Sequence, residues 1–370
     1  METTEAEPVV SVQTRSYLVV SSCVENPEYG YPKVLPDNIE RNPMTPQEEI
    51  LNVRAQQAQA LQRAEVLIEA LPWIKEATGK TVVIKYGGAA MIDDELRENV
   101  MSDIVLLKII GLSPIIVHGG GNEVTELSEK LGLPAEFKDG KRVTSPEIMD
   151  VVKMVLIGKV NQELVAQLNQ HGHIAVGLSG ADGHIIRAKQ ASAELGMVGE
   201  VTKIDTTLLL DLISADYIPI IATVAVGNDG LSYNINADEA AGEIAAAIGA
   251  HKVIFLTDVD GLYEDFSDKT SLISRLSLSE ASELLSSNKL TDGMLPKLQS
   301  CVKAVAAGVS RAHILNGTIP HALLLEVFTN EGVGTMITSD DGSFTPDKFI
   351  AAPLDNLASK FHGAIKITKK

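Results

Sequence analysis

Apolar positions along this chain follow two rhythms, short continuous runs and helical stripes, and the two alternate. Thr81-Val82-Val83-Ile84 is a β-branched run, and Ile115-Ile116-Val117 is another. Between them, residues 95–110 carry apolar side chains at helical spacing and are closed by Gly111. The spacing predicts a βαβ unit with a glycine-rich loop after each strand, Lys85-Tyr86-Gly87-Gly88 and His118-Gly119-Gly120-Gly121. Loops at the carboxyl ends of parallel strands open onto one crevice. Glycine there lets backbone N–H groups approach phosphate oxygens without a Cβ in the way, and Lys85 adds a cation. Neither loop is a Walker A sequence or a Gly-x-Gly-x-x-Gly fingerprint, which disfavours those two modes of nucleotide binding.

The same alternation continues downstream. Ser145-Pro146 opens a helix whose apolar positions run Ile148, Val151, Val152, Val155 and Leu156, within a helical segment to about Asn169 that includes Gly158-Lys159-Val160-Asn161. Residues 174–178 form a strand, 185–188 and 199–201 short antiparallel strands, and 218–225 one further strand. Asn234-Ile235-Asn236-Ala237-Asp238 opens an alanine-rich helix to Gly249. A strand at 251–257 leads into Asp258-Val259-Asp260-Gly261, a helix covers 277–285, and a turn at 292–297 precedes a helix ending near Gly308. Residues 312–315 and 334–337 are closing strands. This order gives an α/β fold with an open, mainly parallel sheet. Upstream, Thr45-Pro46 with Glu48 and Glu49 starts a helix that runs to about Ala70. Residues 1–43, punctuated by proline, read as a flexible extension, and 338–370 as a tail.

Composition narrows the classes. The chain has 370 residues, 45% hydrophobic and 22% charged, with a formal net charge of -18. That excess of acid argues against nucleic acid as a partner, though a local cationic pocket can still hold ATP. Cys23 and Cys301 stand alone, so neither a zinc site nor a disulfide framework is implied. No apolar run is long enough to span a membrane. The early glutamates, with Arg15 the first basic residue, do not resemble a targeting peptide and place the chain in the cytoplasm.

Ile84-Lys85-Tyr86-Gly87-Gly88 and Val117-His118-Gly119-Gly120-Gly121 resemble the amino acid kinase family. Within it they resemble the branch that phosphorylates N-acetyl-L-glutamate in arginine synthesis, over residues 44–337. The resemblance implies a three-layer αβα sandwich spanning 73–337, with an N-terminal lobe for the acetylated amino acid and a C-terminal lobe for ATP. It implies catalytic lysines at Lys85 and Lys297, organised by Asp238. Phosphoryl transfer between two anions is chiefly a problem of negative charge, and two aimed cations answer it. Gly87 and Gly88 would meet the nucleotide, and Gly120, Gly121, Arg142 and Asn234 the acetylated amino acid. Arg142 suits a bidentate grip on the α-carboxylate. Asp258, Gly261 and Tyr263 would lie along ATP, with Asp292, Gly293 and Met294 closing the other side; plain turn chemistry is as good an account of Asp258 and Asp260. Magnesium is expected with the phosphates, held by them and by water rather than by a protein metal site. Transfer to a carboxylate removes no proton, so His118 reads as structural. Asn122 and Ala181 depart from the proline and lysine common among relatives at those places.

The resemblance is to the arginine-inhibited type. That implies that the helix at 44–72 links dimers into a homohexamer, a trimer of dimers, and that arginine is a feedback ligand gripped by Glu326 and Gly332. A lysine that would meet the ligand's carboxylate in some relatives is Glu264 here, with Lys269 the nearest replacement. A PII-type signalling protein is a further implied partner. Two other readings compete with catalysis on N-acetylglutamate: a kinase for carrier-linked aminoadipate, and a non-catalytic arginine sensor. Retention of Lys85, Asp238 and Lys297 weighs against the second.

Overall fold

The computed structural model describes residue 68 and residues 70–341, apart from 92, 139, 266, 288–289, 291–292 and 329–331. The extension 1–43, nearly all of the predicted helix beginning at Thr45, Asp292, and the tail beyond residue 341 lie outside the described residues. Residues 70–77 are helical, so helix persists beyond Ala70, where the apolar stripe of the sequence fades.

The chain then runs β1 (Thr81–Tyr86), α1 (Asp94–Ile109), β2 (Ser113–His118) and α2 (Gly121–Lys130). A hairpin follows, β3 (Phe137–Lys138) and β4 (Lys141–Arg142). Next come α3 (Pro146–Lys153), a π-helical segment (Met154–Asn161) and α4 (Gln162–Asn169). Strands β5 (Ala175–Ser179), β6 (Ile186–Gln190) and β7 (Gly199–Ile204) lead to α5 (Thr207–Ser214). Then come β8 (Ile218–Ala222), β9 (Val224–Gly227), β10 (Ser232–Asn234), α6 (Ala237–Ile248), β11 (Lys252–Thr257) and β12 (Leu262–Tyr263). The last elements are β13 (Leu272–Ile273), β14 (Arg275–Ser277), α7 (Leu278–Ser286), α8 (Leu295–Ala306), β15 (Arg311–Asn316), α9 (Ala322–Phe328) and β16 (Thr335–Thr338).

Eight strands form the main sheet in the order β14-β16-β15-β11-β1-β2-β8-β5. Every neighbouring pair is parallel except β15–β16. The inner strands β1, β2, β8 and β11 are buried on both faces, which is why they read as unbroken apolar runs. Helices cover both faces. Val82, Ile84 and Tyr86 pack with α1, the π-helical segment and α9 on one side, and Val83 packs with α6 and α8 on the other. The two-residue period of a strand therefore sends Lys85 to the α6–α8 face and His118, with Ile116, to the opposite one.

The predicted strand at 218–225 is two strands in two sheets. β8 ends at Ala222, and β9 joins a four-stranded sheet in the order β10-β9-β6-β7. Between them Thr223 is buried and its carbonyl accepts a hydrogen bond from Ile235 N at 3.0 Å. The apolar pattern runs through this change of partner unbroken, so periodicity cannot report it.

Candidate active site

Three elements from distant parts of the chain carry the charged centre. β1 ends on Lys85. Asn236 caps α6, its side-chain carbonyl accepting from Asp238 N at 2.8 Å and Glu239 N at 3.1 Å, which fixes Asp238 in the first turn. Pro296 pre-organises the start of α8, whose first turn holds Lys297. Lys85 Nζ lies 3.2 Å from Asp238 Oδ1, and Lys297 Nζ lies 3.3 Å from Asp238 Oδ2. Lys297 also donates to Gly293 O at 3.1 Å. Burial pushes the Asp238 pKa up, but Lys85 and then Lys297 pull harder and hold it below the usual carboxylate range. One anion between two cations leaves a net positive charge at the carboxyl end of the sheet. Gly87 belongs to this centre, since a Cβ there would lie 3.3 Å from Lys85 Nζ.

Beside the centre lies a cavity of about 230 Å³ lined by Gly119, Gly120, Gly121, Arg142, Asn234 and Leu156, among others. Its wall at Asn236 and Ala237 runs directly into Asp238. The β3–β4 hairpin brings Arg142 over this cavity. Arg142 Nη2 donates to Gly121 O at 2.9 Å and Thr125 Oγ1 at 2.6 Å, and the guanidinium sits 4.7 Å from the centroid of Phe137. Its Nη1 is buried and has no hydrogen-bond partner among the described residues. A carboxylate is the natural acceptor for such a group. Asn234 Nδ2 donates to Thr144 Oγ1 at 3.3 Å.

The residues predicted for the nucleotide lie in three places, after β1, after β11 and just before α8. Asp258 is exposed and accepts from Thr257 Oγ1 at 3.1 Å. Asp260 accepts from Tyr263 OH at 2.5 Å and Asn316 Nδ2 at 2.7 Å, so its carboxylate serves the turn. The bond to Asp260, aided by burial, pushes the Tyr263 phenol up to about 12. Gly261 packs on β16, where a Cβ would lie 2.5 Å from Thr335 Oγ1. Gly88 is exposed, Met294 is buried in the core, and Gly293 contributes its carbonyl to Lys297. Asp292 is outside the described residues.

Glu326 and Gly332 are brought together at the far end of α9. Glu326 is buried, with Oε1 2.7 Å from His313 Nδ1 and Oε2 accepting from Val333 N at 2.8 Å. Gly332 has φ +57°, and a Cβ there would meet Glu326 Oε2 at 2.8 Å. Cys301 is fully buried in α8, and burial raises its thiol pKa well above the ordinary value. Sequence reasoning attached no role to Phe137, Thr125 and Thr144, which surround Arg142 and Asn234. Asn236, which the sequence shows only as part of a helix opening, is the cap of α6, and Asn-Ala-Asp-Glu is a legible signal for it.

A three-layer α/β fold with two lysines drawn to one buried aspartate, beside a small pocket with one arginine nitrogen to spare, defines a phosphotransferase for small anionic acceptors. The chain belongs to the amino acid kinase family, whose model matches residues 80–316. It is 51% identical over 277 residues to an acetylglutamate kinase of Caldanaerobacter subterraneus subsp. tengcongensis, covering 74% of this chain and 93% of that one. It is 52% identical over 276 residues to an acetylglutamate kinase of Nostoc sp., with the same shares. Among solved structures, the N-acetylglutamate synthase of Neisseria gonorrhoeae, complexed with coenzyme A and N-acetyl-glutamate, matches with a TM-score of 0.67 at 25% identity. That match covers 75% of this chain and 63% of the synthase chain, so this chain spans less than two thirds of it.

Proposed function

We propose that this chain transfers the γ-phosphoryl group of ATP to the side-chain carboxylate of N-acetyl-L-glutamate. Relatives named acetylglutamate kinase, about half identical over nearly their full length, support the acceptor and do not favour the aminoadipate or sensor alternatives. The observation that carries the chemistry is the Lys85–Asp238–Lys297 cluster at the rim of the pocket that Arg142 enters.

In this reading Arg142 grips the α-carboxylate through its spare Nη1, and Asn234 holds a second polar group of the acetylated amino acid. The side-chain carboxylate then faces the glycine loop and Lys85. A carboxylate oxygen attacks the γ-phosphorus, the bond to the β–γ bridging oxygen breaks, and ADP leaves with that electron pair. No proton is taken, so no general base is required. Lys85 and Lys297 neutralise charge as it spreads over the transferring group, and Asp238 keeps both aimed. Magnesium would accompany the phosphates. Among the described residues no three His, Cys, Asp or Glu side chains converge. The test is ADP release with N-acetylglutamate, glutamate, aminoadipate and carbamate in parallel. Turnover with glutamate or carbamate above that with N-acetylglutamate would overturn the assignment.

A regulatory reading rests on Glu326 meeting the Gly332–Val333 backbone beside His313, whose Nε2 is buried without a partner among the described residues. In this reading arginine is an inhibitor bound there, and the segment before residue 68 joins dimers into a hexamer. Light scattering and an arginine titration test it together.

A further inference from the structure

The long helix between Pro146 and Asn169 is interrupted by the π-helical segment Met154–Asn161, directly behind the glycine loop. Such segments are rare within α-helices and are frequent at functional sites. Here the segment places three side chains against the loop. A Cβ on Gly120 would lie 2.7 Å from Leu156 Cδ2 and 3.2 Å from Val160 Cγ2, so these two pack on the loop from below. The third is Asn161, which is 1% exposed.

Asn161 Nδ2 lies 2.9 Å from Ile220 O, 3.3 Å from Leu178 O and 3.0 Å from His118 Nε2. Its Oδ1 fills the space over Gly177, where a Cβ would come within 2.0 Å of it. Main-chain carbonyls only accept, so the group facing them is the amide NH2. The two N–H bonds go to the nearer groups, Ile220 O and His118 Nε2, with Leu178 O at most sharing one of them, so Nε2 accepts and the imidazole proton sits on Nδ1. From there it donates to Gly119 O at 2.8 Å. Burial keeps the ring neutral by pushing its pKa down to about 4. The other side of the Gly119 residue is tied too, with its N–H donating to Tyr86 O at 3.3 Å. Both polar groups of Gly119 are thus held inward. Among the described residues the amides of Gly120 and Gly121, where α2 opens onto the pocket, have no acceptor.

We propose that Asn161 is a positioning residue for phosphoryl transfer: by holding Nε2 of His118 as an acceptor it reinforces the Nδ1–H tautomer, fixes the ring against the Gly119 carbonyl and so aims the Gly120 and Gly121 amides at the acceptor. The proposal rests on the pocket being the acceptor site of the reaction above. It gives His118 a definite duty, that of a tautomer-locked strut, and it gives the π-helical segment a reason to exist.

Nitrogen NMR of full-length protein labelled at histidine, with His118 assigned by difference, reads the tautomer directly. The expected signature is protonated Nδ1 and bare Nε2, unchanged from pH 5 to pH 9. An Nε2–H tautomer, or titration of His118 in that range, overturns the proposal whatever any variant does. Asn161→Leu removes the donor to Nε2 and leaves Gly119 O alone to select the tautomer, so it should shift the His118 nitrogen signals and lower kcat with N-acetylglutamate about 10- to 100-fold, with the KM for ATP unchanged. Leu168→Ala, a core truncation on α4 remote from the loop, is the control for mere softening, and should lower Tm with the signature and kcat retained. Equal losses of kcat in the two variants, or normal kcat in Asn161→Leu, overturn the proposal alone. A wild-type enzyme inactive on N-acetylglutamate overturns the functional reading as well.

Discussion

Replacing Asp238 with asparagine tests the charged centre with the least change of shape. The carboxylate is 8% exposed and holds two ammonium groups, at 3.2 Å and 3.3 Å. At an effective dielectric constant of about 20, each contact has a gross Coulomb energy of about 5 kcal/mol, far more than either lysine gains from any neutral partner nearby. Asp238→Asn keeps both cations but removes what aims them and leaves them repelling each other. Loss of one preorganised electrostatic partner at a reacting centre typically costs about 10²- to 10³-fold in kcat, and we expect a fall of that size. The KM for N-acetylglutamate should hold, because Arg142 and Asn234 do not touch Asp238. Two partly buried cations without their anion should also lower the apo stability by about 3–5 kcal/mol. ATP should restore part of that loss, since its phosphates can take the place of the missing charge. Coupled ADP release gives kcat and both KM values, and thermal melts with and without ATP give the rest. A kcat within about threefold of wild type would remove Asp238 from the mechanism. A loss confined to the KM for N-acetylglutamate would place Asp238 with the acceptor instead.

Arg142→Lys should raise the KM for N-acetylglutamate about 10- to 100-fold with kcat largely kept, because an ammonium cannot hold Gly121 O and Thr125 Oγ1 on one nitrogen while a second nitrogen meets the carboxylate; an unchanged KM in the same assay removes Arg142 from the acceptor site. Lys252 is buried at the start of β11, and burial, then Arg311, push its pKa down to about 8. The unfolded chain binds that proton more tightly than the folded one, so the penalty is full below pH 8 and fades as pH rises toward the unfolded value. Lys252→Met should therefore be the more stable protein at pH 7, by up to about 3 kcal/mol, with the advantage shrinking between about pH 8 and 10.5 in paired melts. A constant difference across that range would show that the lysine is not held in this way. Deleting residues 1–65 should give dimers whose inhibition by arginine is blunted, and a full-length dimer indifferent to arginine would end the regulatory reading while leaving catalysis untouched.

What could be read from the chain alone was set by local physics. β1 and β2 are buried on both faces, so their apolar runs stand out, and the alanine-rich α6 announces itself with its Asn236 cap and its Gly249 terminus in the left-handed conformation. Lys85, Asp238 and Lys297 come from three separate elements, and no spacing rule joins them. Family resemblance named them, and the fold now brings them within ion-pair distance. Other features were hidden because they are decided by distant partners. The parting of β8 and β9 at Thr223 depends on which sheet edge each finds. The π-helical segment shows no break in its apolar stripe, and Asn161 matters only because Ile220 O, Leu178 O and His118 converge on it. Glu326 lies in an apolar helix where its charge suggests a surface, yet His313 and the Val333 amide draw it inside. The short hairpin that carries Arg142 has too few residues to display a period.

The claim that this centre phosphorylates a carboxylate makes one chemical demand, that the product be an acyl phosphate. Purified full-length protein should be incubated with ATP, magnesium, N-acetylglutamate and hydroxylamine, which converts acyl phosphates to hydroxamates. N-acetylglutamyl hydroxamate should form in step with ADP, be abolished by omitting N-acetylglutamate and be strongly reduced in Lys297→Ala. ADP formed without hydroxamate, or hydroxamate at the wild-type rate from Lys297→Ala, would contradict it.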